Sequence, residues 1–210
     1  MNTSSFVIVH LAEIASATLE HIVLVGISLA IAILIGLPTG MLIVRHPRLR
    51  GIALGFANIV QTIPSLALFG FLIPIPFLGG IGRRTAIVAL VVYALLPILR
   101  NTFVGMTGID PAVLEAAEAM GMTETQILWR VRLPLALSVI MAGIRTATVI
   151  TIGVATIAAA IGAGGLGTFI FRGVAMVSDS VILAGAIPAA LLALVADGAL
   201  ALIERRLRLT

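Results

Sequence analysis

Three glycines, Gly162, Gly164 and Gly167, have the G-x-G-x-x-G spacing that can cradle the pyrophosphate of a dinucleotide. That chemistry requires a strand before the glycines and a helix after them, within a βαβ unit. Here the glycines follow a long apolar segment with the composition of a membrane helix. The spacing therefore indicates a flexible turn or a close helix contact rather than nucleotide binding.

The remaining reactive side chains form no recognisable catalytic or metal site. His10, His21 and His46 have no partners at metal-ligand spacing, and no H-E-x-x-H motif is present. No G-x-S-x-G elbow or convincing pair of nucleophile and base occurs. All thirteen basic residues are arginine, so a phosphate-binding loop that requires lysine cannot form. We predict that the chain is not an enzyme and holds no metal or cofactor of its own.

Two ionisable residues, Arg145 and Asp197, fall within or near apolar segments. Charges are costly in a membrane, so both are candidates for a functional role. Each also has a structural explanation, which we favour. Arg145 could extend to the membrane surface or bond a neighbouring helix, and Asp197 could pair with an arginine near its end of the helix.

Polar side chains within the apolar segments are the candidates for lining a pathway through the molecule. The same hydroxyl and amide groups also join membrane helices to one another, and the sequence leaves both roles open. The candidates are Gln61, Thr62, Ser65, Asn101, Thr146, Thr148, Thr151 and Thr156.

Membrane-spanning helices must position these side chains. Of the 210 residues, 60% are hydrophobic and only 10% are charged, which is far from the composition of a soluble domain. Several apolar runs reach the roughly 20 residues that cross a bilayer. The sequence predicts an all-α, polytopic membrane protein with five spans, at residues 21–44, 51–74, 85–104, 135–161 and 181–203. Residues 61–65, which include a proline, interrupt the second span.

The segment before the first span, residues 1–20, mixes charged and apolar side chains. Its apolar residues have roughly helical spacing, which predicts a short interfacial helix ahead of a membrane domain of residues 21–210. It has neither the basic start nor the small-residue cleavage site of a signal peptide.

Arginines at the ends of the spans indicate the orientation. With the N-terminus outside, nine arginines lie at cytoplasmic ends and three lie outside, which is the positive-inside bias. The nine are Arg45, Arg48, Arg50, Arg100, Arg130, Arg132, Arg205, Arg206 and Arg208, and the three are Arg83, Arg84 and Arg172. The C-terminus is then cytoplasmic. Because these charges flank spans, they do not indicate nucleic-acid binding.

The only long polar interruption, residues 110–134, is predicted to be a cytoplasmic helical hairpin. Asp110 and Pro111 provide a cap and a first-turn proline. Gly121 breaks the first helix, Thr123 caps a second one, and Pro134 is expected to end it. The hairpin is too polar for lipid, so it must face water or another protein.

The same hairpin resembles the EAA loop of binding-protein-dependent ABC importer permeases. The family pattern EAA-x3-G-x9-I-x-L-P is matched from Glu115 to Pro134, except that Val131 replaces isoleucine. The resemblance implies the type I ABC importer permease fold and a coupling helix that seats on a cytoplasmic ATPase subunit, which supplies ATP and Mg²⁺. The residues implied in coupling are Glu115, Ala116, Ala117, Met120, Gly121, Leu133 and Pro134.

Four further segments, at 61–67, 93–101, 142–146 and 161–167, resemble the osmoprotectant branch of that family. This implies import of glycine betaine, choline, carnitine or a similar quaternary ammonium compound across a bacterial inner membrane. The implied partners are two ATPases, a second permease subunit and an extracytoplasmic binding protein. With one Trp and one Tyr, an aromatic cage for such a cation is not expected in this chain.

Several alternatives remain open. The second permease subunit could be a copy of this chain or a sister chain, and another small solute could be the substrate. A secondary transporter usually has more spans, often as inverted repeats, and would lack the EAA spacing. An intramembrane enzyme would need a catalytic pair, and a structural subunit would leave the EAA spacing unexplained.

Overall fold

The computed structural model describes residues 9–76 and 78–207, in which the regular structure is helical. The α-helices are α1 (Leu11–Arg45), α2 (Pro47–Thr62), α3 (Ser65–Leu72), α4 (Arg83–Thr107), α5 (Pro111–Ala119), α6 (Glu124–Ile127), α7 (Leu133–Ile157), α8 (Gly167–Ala175) and α9 (Asp179–Leu207). A π-helical turn, Leu128–Arg132, joins α6 to α7, and a 3₁₀ turn, Ala158–Ile161, follows α7.

Helices α1 and α4 run parallel at the centre of the bundle. Gly36 lies against Ile98 and Gly40 lies against Thr102, so the contact positions advance together along both helices. A Cβ atom at Gly40 would come within 2.6 Å of the Thr102 Cβ. Glycine therefore permits this close approach, as small residues commonly do between membrane helices.

A parallel pair requires the chain between α1 and α4 to return to its starting side. Helices α2 and α3 make this return as a pair bent by 106°. At the bend, Ile63 is extended (φ −76°, ψ 126°), as the residue before a proline prefers to be. The Tyr93 hydroxyl donates to the Ile63 carbonyl, and Gln61 Nε2 donates to the Tyr93 carbonyl at 3.1 Å. The second predicted span is therefore a broken helix.

Helix α7 packs antiparallel to α4, with Gly143 against Asn101 and Gly105 against Ala136. Helix α9 then crosses back beside α7. Within the described residues, four helical stretches are long and apolar enough to cross a membrane, and the bent pair makes a fifth if its two helices form one span. The predicted all-α architecture with about five spans is confirmed.

The predicted interfacial helix within residues 1–20 stays a prediction, because Val9 is helical and a turn at His10 separates it from α1. Helix α1 begins at Leu11 and continues without a break to Arg45. No proline precedes Pro38 in this stretch, so nothing in the sequence ends the helix at residue 20. Residues 1–8 lie outside the described residues.

Candidate functional site

The first arm of the hairpin is α5, and its ends form as predicted. Asp110 caps the helix by accepting a hydrogen bond from the Ala112 N–H at 2.9 Å, and Pro111 occupies the first turn. At the other end, the Met122 N–H donates to the Ala117 carbonyl at 3.2 Å and the Gly121 N–H donates to the Glu118 carbonyl at 2.9 Å. These two bonds are the Schellman motif, which commonly ends a helix at a left-handed glycine.

Gly121 has the backbone conformation that this motif requires, with φ +76°. An added Cβ atom would meet nothing within 4 Å. The restriction at this position therefore comes from the backbone angle rather than from packing, because residues with a Cβ atom disfavour positive φ.

The second arm starts with a capping box between Thr123 and Gln126. The Gln126 N–H donates to the Thr123 hydroxyl at 3.3 Å, and the Thr123 N–H donates to the Gln126 side chain at 2.8 Å. Such reciprocal bonds satisfy two N–H groups at a helix start. The start of the second helix is therefore held by hydrogen bonds at its N-cap residue.

The expectation that Pro134 ends the second arm is wrong. Helix α6 continues through the π-helical turn into α7, and Pro134 lies in the first turn of α7. The Leu133 N–H donates to the Leu128 carbonyl, five residues earlier. We attribute the continuity to this wider turn, which makes room for a proline ring that would clash in a regular α-helix. The second arm and the fourth span therefore form one continuous helix.

The hairpin is also joined to the end of α1. Arg45 Nη2 lies 2.9 Å from the Glu124 carboxylate and donates to the Glu124 carbonyl at 3.3 Å. Both side chains are largely exposed, so this ion pair contributes little to stability. Its effect is positional, because it ties the start of the second arm to the first span.

The residues implied in coupling divide between an exposed face and a buried support. Glu115, Ala116 and Gly121 are exposed, and Met120, in the polar hairpin outside the apolar spans, has 74% of its surface exposed. Ala117 is 2% exposed and is the only fully buried residue of α5. Leu133 and Pro134 are half-buried, and Leu133 packs against the cluster formed by Met106, Ala136 and Ile140.

Most of the candidate pathway residues bond to their own helix. The hydroxyls of Thr62, Thr146, Thr148, Thr151 and Thr156 each donate to a backbone carbonyl three or four residues earlier, and Asn101 Nδ2 donates to the Pro97 carbonyl. Thr62 and Thr146 are exposed, Thr151 is fully buried, and Ser65 is half-buried. Pathway lining by Gln61, Thr62, Ser65, Asn101, Thr146 and Thr151 stays a prediction.

Arg145 and Asp197 form the ion pair that the structural explanation anticipates. Arg145 Nε lies 2.5 Å from Asp197 Oδ1 and Nη2 lies 2.8 Å from Oδ2, which is a bidentate arrangement. Glu204 joins at 3.4 Å from Nη1, a contact not anticipated from the sequence. The signal was its spacing, because residues seven apart share one face of a helix. The cluster borders a surface cavity of about 370 Å³ beside Thr146.

The glycine-rich segment is a turn at the opposite end of the bundle. Gly162, Gly164 and Gly165 all have positive φ. The Gly165 N–H donates to Glu20 at 3.1 Å, and Glu20 pairs with Arg83 at 2.7 Å. The turn is therefore fastened to α1 and α4, without the strand that a dinucleotide site needs. In the part of the chain described, no cluster of three His, Asp or Glu side chains could hold a metal ion.

Comparison with known proteins shows that this chain is similar to transport proteins. Residues 29–209 match the family described as "Binding-protein-dependent transport system inner membrane component". The carnitine transport permease protein OpuCB of Listeria monocytogenes is 46% identical over 190 residues, covering 90% of this chain and 86% of that protein. The osmoprotectant import permease protein OsmW of Salmonella typhimurium is 45% identical over 199 residues, covering 94% and 93%.

Solved structures agree in fold. A chain of the MetNI methionine ABC transporter in an inward-facing conformation superposes with a TM-score of 0.83 at 26% identity, covering 93% of this chain and 96% of that one. A chain of an amino acid ABC transporter with histidines gives a TM-score of 0.82 at 18% identity, covering 98% and 99%. The backbone path is therefore shared over nearly the whole length of both chains.

Proposed function

The chain belongs to the family of binding-protein-dependent transport system inner membrane components, and we propose that it is the membrane-spanning subunit of an ATP-driven importer for quaternary ammonium osmoprotectants. The fold is that of the type I ABC importer permeases. In this proposal the translocation pathway forms between this chain and a second permease subunit. A separate binding protein delivers glycine betaine, choline, carnitine or a related solute from outside.

The observation that carries the coupling role is the exposed face of α5. Glu115, Ala116 and Met120 present a carboxylate beside small and flexible apolar surface, on a helix whose other face is held by buried Ala117. Met120 lies outside the spans that lipid would cover, and methionine is enriched at protein interfaces. We propose that an ATPase subunit covers this face. ATP and Mg²⁺ would bind in that partner, since this chain has no lysine to build a P-loop.

The geometry supplies a mechanical link from such a partner to the spans. The Schellman turn ends α5 at Gly121 and the capping box starts α6 at Thr123, so a short hydrogen-bonded turn joins the two arms. Helix α6 continues through the π-helical turn into α7, so a displacement of the hairpin would tilt the fourth span. Arg45 would pass part of the same displacement to α1 through Glu124. ATPase closure could in this way move two spans together.

The substrate class rests on the two relatives described above, whose names specify carnitine and osmoprotectant transport. Trp129 lies in the hairpin region and Tyr93 is 7% exposed. Neither forms a cage for a quaternary ammonium group, which several aromatic rings would normally surround. We therefore assign tight recognition to the binding protein and passage, with weak contacts, to this chain.

Uptake measurements test this function. Cells that produce the chain with its ATPase and binding protein should accumulate radiolabelled carnitine, choline or glycine betaine. Unlabelled glycine betaine should compete, unlabelled methionine should not, and ATP depletion should abolish the uptake. Uptake driven by an ion gradient after ATP depletion would contradict the proposal and favour a secondary transporter. ATP-dependent uptake of methionine alone would keep the coupling role and overturn the substrate class.

A further inference from the structure

An open apolar groove lies between the hairpin end of α1 and the start of α7. Its volume is about 690 Å³. Arg45 is its only charged lining residue, and the other lining residues are Leu37, Pro38, Met41, Leu42, Leu128, Trp129, Leu133, Leu137 and Ile140. The groove thus has an apolar wall along its length and one cation.

Arg45 and the apolar residues of the groove lie at different depths in the membrane. Arg45 is the last residue of α1, whereas Leu37 is eight residues earlier, which is roughly 12 Å along a helix axis. The Arg45 end also carries the polar hairpin, so it faces water while the Leu37 end reaches into the hydrocarbon region. Trp129 is 57% exposed at the same end, where aromatic rings commonly mark the membrane–water boundary.

Arg45 has N–H groups that remain available for hydrogen bonding at the hairpin end of this groove. Both of its described contacts with Glu124 use Nη2. A guanidinium group carries five N–H donors, so Nε and Nη1 can face an oxyanion. Arg48, in the first turn of α2, is exposed and adds positive charge at the same end of the bundle. The paired N–H groups of a guanidinium match the geometry of phosphate oxygens.

We propose that the groove binds an anionic phospholipid, with its phosphate on Arg45 and an acyl chain along the apolar wall. A single cation at the water edge of a membrane-embedded apolar groove matches one anionic head on a hydrocarbon tail. Basic pockets between membrane helices bind anionic lipid head groups on this principle. The acyl chain of a zwitterionic lipid could occupy the same groove, but its head group has no net negative charge to attract Arg45.

Such a lipid would act on the hairpin. One wall of the groove belongs to α1, and the other includes Leu128, Trp129 and Leu133, which join the hairpin to α7. A bound acyl chain would therefore pack α1 against the root of the second arm, beside the Arg45–Glu124 pair.

Trp129, the only tryptophan, reports directly on the groove. The purified full-length chain is reconstituted into phosphatidylcholine vesicles that contain a fixed fraction of brominated phosphatidylglycerol or brominated phosphatidylcholine. Quenching of Trp129 fluorescence should be at least twofold stronger with brominated phosphatidylglycerol. Added salt should reduce this difference, because it screens the phosphate from Arg45.

Three variants separate the site from its surroundings. Arg45→Gln should remove the preference for phosphatidylglycerol, and Arg48→Gln, outside the groove lining, should retain most of it. Glu124→Gln breaks the same ion pair as Arg45→Gln but leaves the cation in place, so it should keep or increase the preference. Equal quenching by both lipids, or a preference unchanged in Arg45→Gln, would mean non-selective boundary lipid only and would overturn the proposal. Absence of quenching would also overturn it, since no acyl chain would then reach Trp129.

Discussion

At the scale of single residues, the hairpin depends on a backbone angle at Gly121 and on a few exposed side chains. Because the φ of +76° is unfavourable for residues with a Cβ atom, and because open space surrounds the position, a substitution there changes the turn without disturbing the core. This separation makes Gly121 an informative position for testing coupling, since the membrane part should remain folded.

Gly121→Val should lower uptake while leaving the amount of chain in the membrane unchanged. Left-handed backbone costs about 1–2 kcal/mol for such a residue, which lowers the population of the turn by roughly 5- to 30-fold. Uptake per molecule of chain, measured by immunoblot and radiolabel, should fall comparably. Gly121→Asn is the matched control, since asparagine tolerates positive φ, and it should retain most uptake. Equal uptake by wild type and Gly121→Val would contradict the proposed role of the turn.

At the scale of elements, some helix boundaries follow from the sequence and others do not. Asp110, Gly121 and Thr123 carry local signals for a cap, a helix break and a second cap, and all three form as predicted. The left-handed φ at Gly121 and the reciprocal bond from Gln126 are details that the structure adds. Pro134 was misjudged because the rule that proline ends a helix assumes a regular α-helical turn, and the π-helical turn before it removes that constraint.

The bend of the second span and the partners in the ionic cluster could not be predicted from the sequence pattern. The polar interruption near Pro64 was visible in the sequence, but the bend of 106° depends on Tyr93 and Gln61 bonding across helices. Arg145 and Asp197 were each expected to find a partner. That they find each other depends on how α7 packs against α9, which is a tertiary contact.

The crossing of α1 and α4 yields a matched pair of substitutions within one helix. Gly40→Ala places a Cβ atom 2.6 Å from the Thr102 Cβ, whereas Gly26→Ala meets nothing within 4 Å. Overpacking of this kind costs about 1–3 kcal/mol, so Gly40→Ala should lower the thermal unfolding midpoint of the purified chain. Gly26→Ala should leave it unchanged or slightly raise it, because alanine favours the helix. Equal midpoints for the two variants would refute the close crossing.

At the scale of the whole molecule, we predict five crossings, which would put the ends of the described chain on opposite sides. The prediction rests on the parallel arrangement of α1 and α4, which requires the broken α2–α3 pair to return across the membrane. The positive-inside bias then predicts that the hairpin side is cytoplasmic. The chain has no cysteine, so single introduced cysteines can report sidedness without background.

A membrane-impermeant maleimide applied to right-side-out membrane vesicles tests this topology. Ile81→Cys and Met176→Cys should react in intact vesicles, because both positions are exposed at the end opposite the hairpin. Leu49→Cys and Thr125→Cys, on the hairpin side, should react only after permeabilisation. Reaction of Leu49→Cys and Ile81→Cys from the same side would show that α2–α3 does not cross, and would leave four spans.

The most direct test of the central claim is recovery of the chain from its native membrane in mild detergent, followed by mass spectrometry of the proteins that accompany it. We expect an ABC-type ATPase to co-purify with the wild-type chain and to be lost when Glu115→Arg is combined with Gly121→Val. Asp179→Asn, an exposed change at the opposite end of the bundle, should retain the ATPase. Recovery of the chain without any ATPase, together with uptake that survives ATP depletion, would contradict the assignment of the hairpin as a coupling element.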